Sequence, residues 1–478
     1  MIVLALFTLV MASSHFFRLP YNVFWVDTAF SVDLIRLPLK EMLAATAVNE
    51  HPPFYYIFGK IMVTLLGDHP YAFRATAFIP YVLILVLALT YVRKNFGYAP
   101  AFIIVGFSSF TPTSIVYVME TRMYELGCFL TLASFIAMHI LFTRKKGNRT
   151  IYWICFYLLS IMTAYTHYYL TIAVCVMYLC VIIYCIKEKS ELKICFIVSV
   201  LAIVSYLPWL GVMLNNFGVR AGDWWAGGYS HFDETMREIF AVKRYYIPAL
   251  TLMAFSLIKA FLSLKKENDK SRKSEYFGKF WFLISGILMI FVTFGAGAVV
   301  SELVRPLFLS RYIYPLASIG WLLFGIGIED LLDTIKPGAY VKTLISAAVS
   351  FAIALSLRVM CNTILLENID YQSKASKLTN EFLETVSIPE GSTVYSDMEQ
   401  EEFTIAGCYF PGTEVYMENA MFFYLEPAQD EFYLVWKDSE VDTAAQNLNN
   451  YGYEVTSMAE GGTLGMQGGV CVLFCRKY

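Results

Sequence analysis

Charge is what this chain has least of. Only 16% of its 478 residues are Asp, Glu, Lys or Arg while 58% are hydrophobic, and the two signs nearly cancel, 36 basic against 39 acidic, for a formal net charge of -3. A water-soluble protein of this length cannot hide so much apolar surface, so the composition excludes a soluble enzyme and points to a polytopic membrane protein. Lys and Arg fall in short runs between apolar segments, which leaves no basic stripe for nucleic acid. No Cys/His cluster has zinc-ligand spacing. The glycine pairs 461–462 and 468–469 lie far from any strand-to-helix phosphate loop. Residues 1–17 lack a basic n-region and a small-residue cleavage site, so they read as a first span and not as a removable signal. Cys128, Cys155, Cys175, Cys180, Cys185 and Cys195 sit in or beside apolar runs, where a thiol acts as a small hydrophobe. Cys471 and Cys475 are too far apart along one strand to bond each other, and a bridge from Cys408 stays open.

Long apolar runs are abundant. After 1–17 they recur near 73–92, 99–113, 126–143, 150–165, 169–186, 194–213, 246–264, 280–300, 312–328 and 341–358, about eleven spans of roughly 20 residues each. Alternate connections carry Arg93 and Lys94, then Arg144, Lys145, Lys146 and Arg149, then Lys187, Lys189 and Lys193, then the basic stretch 265–279, then Lys336 and Lys342. The excess of Lys and Arg marks that set as cytoplasmic, and the other connections as external. Five polar segments then share the outer face: 18–72, 112–125, 165–168, 215–245 and 301–311. Within 18–72, a large first external loop, residues 53–66 suit an interfacial helix. Beyond Arg358 the composition turns soluble, with strand patterns near 393–395, 431–436 and 470–474 and helical ones near 376–386 and 441–450. The chain therefore divides into a membrane domain, 1–358, and a small external α/β domain, 365–478.

The stretch 25–56 concentrates ionisable chemistry at the membrane boundary: Asp27, Asp33, Arg36, Lys40, Glu41, Glu50 and His51. Such groups are costly there unless water, partners or a ligand solvate them. The Pro52-Pro53 pair holds His51 in extended chain just before a helix. A second polar turn, 118–125, carries Glu120, Arg122 and Tyr124. Two carboxylate loops on one face can divide base and orienting roles or hold a divalent cation. A third turn, 301–312, carries Arg305, Arg311 and Tyr312, and a guanidinium fork matches phosphate oxygens. Each feature has a plainer reading: a solvated outer carboxylate, a structural histidine at 51 or at 167, an arginine snorkelling from a helix end.

Taken together, these residues resemble the polyprenyl-phosphate-dependent membrane glycosyltransferases of the GT-C superfamily, in the branch with protein O-mannosyltransferases and the lipid A aminoarabinose transferase (glycosyltransferase family 39-like). That branch has an aromatic residue and an Asp-Glu pair in its first external loop, similar to Trp25-Val26-Asp27. Its His-Pro-Pro-Leu-Tyr-Tyr-like stretch is similar to residues 51–56, and its Phe-Gly...Ala-Leu-Arg-like stretch to Leu66-Gly67...Ala72-Phe73-Arg74. A Glu-x-Arg-x-Tyr turn corresponds to 120–124, and a Pro-x-x-x-Arg-Tyr turn loosely to 306–312. Thr28 stands where the family has Glu, so Asp27 lacks its usual partner.

The resemblance implies a multi-pass helical protein of the GT-C type with an extracytoplasmic active site. The expected activity is inverting transfer of a monosaccharide, hexose or pentose, from a polyprenyl-phosphate donor to a lipid, glycan or protein acceptor. Asp27 is the expected general base, with Glu120 the second catalytic carboxylate. His51, Arg122, Tyr124, Arg305, Arg311 and Tyr312 form the expected substrate-binding set, Arg311 and then Arg305 on the phosphate. No metal ligand is assigned, though a divalent cation is compatible with the pattern. A transporter or lipid flippase for an envelope glycan precursor is the rival reading, and it requires charges at mid-span and helices broken there.

Overall fold

The computed structural model describes the chain apart from residues 49–50, 144–147, 220–228, 304–306, 397–406, 411–413, 418–428, 438 and 440, and describes only the backbone of 216–219, 414–417 and 467. Ile2–Phe16 forms α1. The polar stretch after it folds as Val26–Arg36 (α2), Leu39–Ala47 (α3) and Phe54–Leu66 (α4). Pro70–Leu87 (α5) runs through one π turn, Ala88–Val92, into Arg93–Phe96 (α6). Tyr98–Phe110 (α7), Pro112–Tyr117 (α8), Tyr124–Thr143 (α9), Arg149–Ala164 (α10), Tyr168–Glu188 (α11) and Leu192–Val219 (α12) follow. Phe232–Phe240 (α13), Lys243–Lys266 (α14), Lys270–Leu303 (α15), Ala317–Ile335 (α16), Ala339–Met360 (α17) and Asn362–Thr385 (α18) complete the helical part.

Every apolar run read as a span is helical. Eight described helices are long and apolar enough to cross a membrane, while α1, α4, α7 and α10 are shorter apolar helices. This is an integral membrane protein. Ser310–Ile335, which contains α16, is the central element, 94% buried, whereas the span within α12 is 11% buried and lies at the periphery. Close packing around α16 depends on missing side chains: a Cβ at Gly325 would sit 2.2 Å from Pro100 Cα of α7, and one at Gly106 would sit 2.4 Å from Ala354 Cβ of α17. Small residues let membrane helices approach this closely. At the lysine-rich end, Lys279 and Lys259 reach Asp330 at 2.5 and 3.6 Å, and Lys342 reaches Asp333 at 2.6 Å, tying α14, α15, α16 and α17 together.

The stretch 18–72 is not one open loop. It holds three helices, and the next span starts at Pro70. Helices α2 and α3, of 11 and 9 residues, are too short and polar to cross a bilayer, and they lie over the bundle end. The helix expected at 53–66 is α4. Helix α18 is longer than the pattern at 376–386 suggested. Its docking face is polar, with Gln372 accepting from Arg18 and Ser376 and Thr379 accepting backbone N–H groups of Asn22 and Gly465, so apolar periodicity hid it.

Thr393–Ser396 (β1), Glu414–Met417 (β2), Glu431–Lys437 (β3), Tyr453–Leu464 (β4) and Gln467–Lys477 (β5), with Val441–Asn450 (α19), form the C-terminal α/β domain. The sheet order is β2-β1-β3-β5-β4, parallel on the β1 side and antiparallel across β5. Its own small core joins Phe432, Leu434, Trp436, Tyr453 and Leu473 to Ala444 and Leu448 of α19. All ten cysteines are free thiols, so Cys408, Cys471 and Cys475 form no bridge.

Candidate functional site

Asp27 stands in the first turn of α2, just after an extended Trp25 that ends the lead-in segment. Its Oδ2 accepts from Arg311 Nη1 at 3.1 Å and faces Arg122 Nη2 at 3.8 Å. Arg122 also holds the helix itself, donating through Nη1 to the Asp27 carbonyl at 3.1 Å and to Ser31 Oγ at 3.3 Å. These three residues come from chain positions up to 284 apart. Arg122 is buried, while the Asp27 and Arg311 side chains keep 26% and 23% of their exposure, so the carboxylate and one fork are reachable from outside. Two guanidiniums converging on one carboxylate exceed what its charge requires, which leaves basic capacity for a further anion.

Glu120 lies beside this pair in the turn between α8 and α9, fully enclosed. Burial pushes its carboxyl up to about 7, the Asp27 charge adds to that, and Arg122, a hydrogen bond from Trp25 and Arg311 oppose it. Its Oε2, Thr121 Oγ1 and the Tyr124 hydroxyl have no hydrogen-bond partner among the described residues. Buried polar atoms are rarely left so unless a ligand or water supplies the partner. The folded protein therefore keeps a proton on Glu120 that the unfolded chain, near 4.5, releases. That stabilisation is complete below about pH 4.5 and is lost as pH rises through about 7. Glu120→Gln should flatten this part of the fall in melting temperature, measured in detergent across the same window. Asp33, raised by burial to about 7, supplies a parallel slope that remains in the variant. Equal slopes in parent and variant would contradict the assignment.

His51, at the bend just before α4, packs its ring 5.7 Å from that of His167, the residue that caps α11. Burial and the nearby Arg122, with Arg311 adding to it, hold both imidazoles well below their ordinary range, His167 at about 3, so both are neutral. Tyr312 packs against both His167 and Tyr169, its ring centroid 5.1 and 5.4 Å from theirs, and lies beneath the Arg311 guanidinium at 5.6 Å. Tyr124 packs on Tyr117 at 4.6 Å. The structure thus gathers Asp27, Glu120, Arg122, Tyr124, His51, Arg311 and Tyr312 at one end of the bundle. Arg305 lies outside the described residues.

Sequence reasoning passed over Glu238. It projects from α13 to accept from Tyr117 OH at 3.1 Å and Ser310 Oγ at 3.3 Å, next to Arg311, with burial raising its carboxyl. Nothing in the sequence separates it from Asp233 and Glu234 on the same helix, which serve an ion pair with Arg237 and a capping box. His167, for which the sequence offers a plain structural reading, packs on His51, Tyr124 and Tyr312 and so forms part of the site wall. Arg74 supports the site from behind, donating to Met119 O at 3.1 Å and Val23 O at 2.8 Å, which ties the Glu120 turn to the Asp27 lead-in.

A divalent cation does not fit this donor set. Among the described residues no three His, Cys, Asp or Glu side chains are grouped to hold one. Among the described residues Glu120 is the carboxylate beside Asp27, Glu238 is taken up by Tyr117 and Ser310, and two guanidiniums already face the Asp27 oxygen, where a metal would meet like charge.

No protein-family model matches the chain, and no curated protein matches it either. Among solved structures it is similar to ArnT from Cupriavidus metallidurans in the apo state, with a TM-score of 0.63 and 12% identity, covering 98% of this chain and 97% of that one. It is also similar to ArnT from the same organism bound to undecaprenyl phosphate, at a TM-score of 0.57 with the same identity and coverage. The likeness runs through the membrane helices and the C-terminal domain alike, so the chain has the fold of these ArnT structures.

Proposed function

We propose that this protein is an inverting glycosyltransferase that moves one monosaccharide from a polyprenyl-phosphate carrier to an acceptor at the outer membrane face. The observation that carries the reading is the partly exposed Asp27 carboxylate joined to the Arg311 fork at 3.1 Å, a base and a phosphate-matching cation within one hydrogen bond of each other. The ArnT structure that holds undecaprenyl phosphate supports a lipid phosphate as the ligand class.

In this mechanism the donor phosphate takes the Arg311 fork and releases Asp27 from it, while Arg122 keeps the carboxylate in place through its grip on α2. The acceptor oxygen attacks the anomeric carbon and its proton passes to Asp27. The bond from that carbon to the phosphate oxygen breaks, and polyprenyl phosphate departs with the electron pair. Arg311 stabilises the charge that grows on the departing phosphate. Neutral His51 and the tyrosines 124 and 312 offer hydroxyl and ring contacts suited to a sugar. A single displacement inverts the anomeric centre. Against a transporter or flippase, the charges that converge on Asp27 sit at the bundle end, and α15 runs 34 residues without a break. Incubating the purified protein with labelled polyprenyl-phosphate sugars and envelope extract tests the reading: sugar should leave one donor, and retention by all of them would reject it.

Orientation follows from the same proposal. In a cysteine-free background, cysteines replacing Lys40 and Lys377, both exposed on the Asp27 side, should react with an impermeant thiol reagent in intact cells. A cysteine replacing Asn148, exposed at the opposite end, should not. The reverse pattern would invert the topology.

A further inference from the structure

Residues 22–24, which lead into Asp27, belong to no helix or strand, yet their backbone is held at almost every group. Asn22 N–H donates to Ser376 Oγ at 2.8 Å, and Val23 O accepts from Arg74 at 2.8 Å. The Tyr409 hydroxyl accepts from Phe24 N–H at 2.9 Å and donates to Asn22 O at 3.4 Å. Phe24 O accepts from Met466 N–H, at the β4–β5 turn, at 3.2 Å. Val23 and Phe24 are buried. Three of these five bonds come from the sheet domain beyond α18, and a fourth from Ser376 on α18 itself.

The β4–β5 turn is fitted to this contact. Gly465 has φ +60°, and a Cβ there would lie 2.2 Å from Phe24 O and 2.7 Å from the Tyr409 hydroxyl. The chain around Tyr409 also grips α2 directly, because Arg36 donates to Gly407 O at 2.9 Å and the Cys408 thiol meets Ala29 O at 3.6 Å. Asp27 lies between these holds, three residues after Phe24.

We propose that the C-terminal domain is a positioning device for the Asp27 carboxylate, acting through Tyr409 and the turn at Gly465 and Met466. The proposal rests on the reading of Asp27 as the base. A carboxylate that must meet an acceptor proton within hydrogen-bond reach loses rate when its lead-in segment drifts by a fraction of an ångström. Neither Tyr409 nor Gly465 touches the reacting atoms, so their effect belongs to turnover and not to donor binding.

The test compares Tyr409→Phe and Gly465→Ala with Tyr453→Phe. The last removes a similar bond inside the domain, from Tyr453 OH to Gln429 O at 2.8 Å, without touching residues 22–24. Hydrogen exchange of peptides covering residues 20–30 and the kinetic constants for the donor are measured on the full-length proteins. Tyr409→Phe should speed exchange in that peptide ~10-fold, the size of one buried hydrogen bond. It should lower kcat by a similar factor with donor KM unchanged, and Gly465→Ala should do the same. Tyr453→Phe should leave both readouts at parental values. Unchanged exchange in Tyr409→Phe overturns the proposal, as does faster exchange with parental kcat, or an equal effect from Tyr453→Phe. If the parent transfers no sugar at all, the function reading fails, and the exchange measurement alone then upholds or rejects the hold on the lead-in segment.

Discussion

Asp27→Asn should lower sugar transfer by at least ~100-fold, the usual contribution of a general base, and leave donor binding intact. The amide has nearly the shape of the carboxylate, and its oxygen can still accept from Arg311. It cannot take the acceptor's proton near neutral pH. The Arg122 bonds to the Asp27 carbonyl and to Ser31 do not involve the changed side chain, so α2 should keep its place. Partial exposure of the side chain means that the amide needs no new burial. Thr28→Ala is the neighbouring control: this chain already lacks a second carboxylate at that position, so its transfer rate should change little. Parental rates in Asp27→Asn would move the base to Glu120, whose carboxyl lies close enough to feel the Asp27 charge and whose Oε2 has no partner among the described residues.

Arg311→Ala should be as costly but by another route. The residue is asked to stabilise charge on the departing phosphate, and loss of one such donor costs ~100-fold or more in rate. It also meets the donor before reaction, so binding of polyprenyl phosphate should weaken, in contrast to Asp27→Asn. Arg311→Lys keeps the charge but loses the bidentate fork and the plane that covers Tyr312 at 5.6 Å, and it should recover only part of the loss. Phosphate binding measured for both variants separates the two roles. Unchanged donor kinetics in Arg311→Ala would remove Arg311 from the phosphate.

The spans were legible because a bilayer demands long apolar runs, and every such run proved helical. Asp27, Glu120, Arg122 and Arg311 were legible for the complementary reason, since charge beside a membrane is expensive and stands out against apolar neighbours. The helices inside 18–72 were hidden because α2 and α3 lie across the bundle end, where one face meets protein and the other keeps polar groups, so no span-length pattern marks them. Glu238 was hidden in an ordinary polar helix, and only its contact with Tyr117 and Ser310 distinguishes it. The role of Tyr409 could not be read at all. It depends on a contact across 385 positions of sequence, between a domain of unremarked composition and a segment that is neither helix nor strand.

The most direct measurement follows labelled sugar out of the lipid fraction when a polyprenyl-phosphate donor and envelope extract are mixed with purified parent or with Asp27→Asn, each checked for folded yield and for polyprenyl-phosphate binding. Transfer by the parent, with inversion at the anomeric carbon, together with its loss at least ~100-fold in a variant that still binds the lipid phosphate, is the predicted result. Sugar retained on every donor by the parent, or released at the same rate by Asp27→Asn, would contradict it.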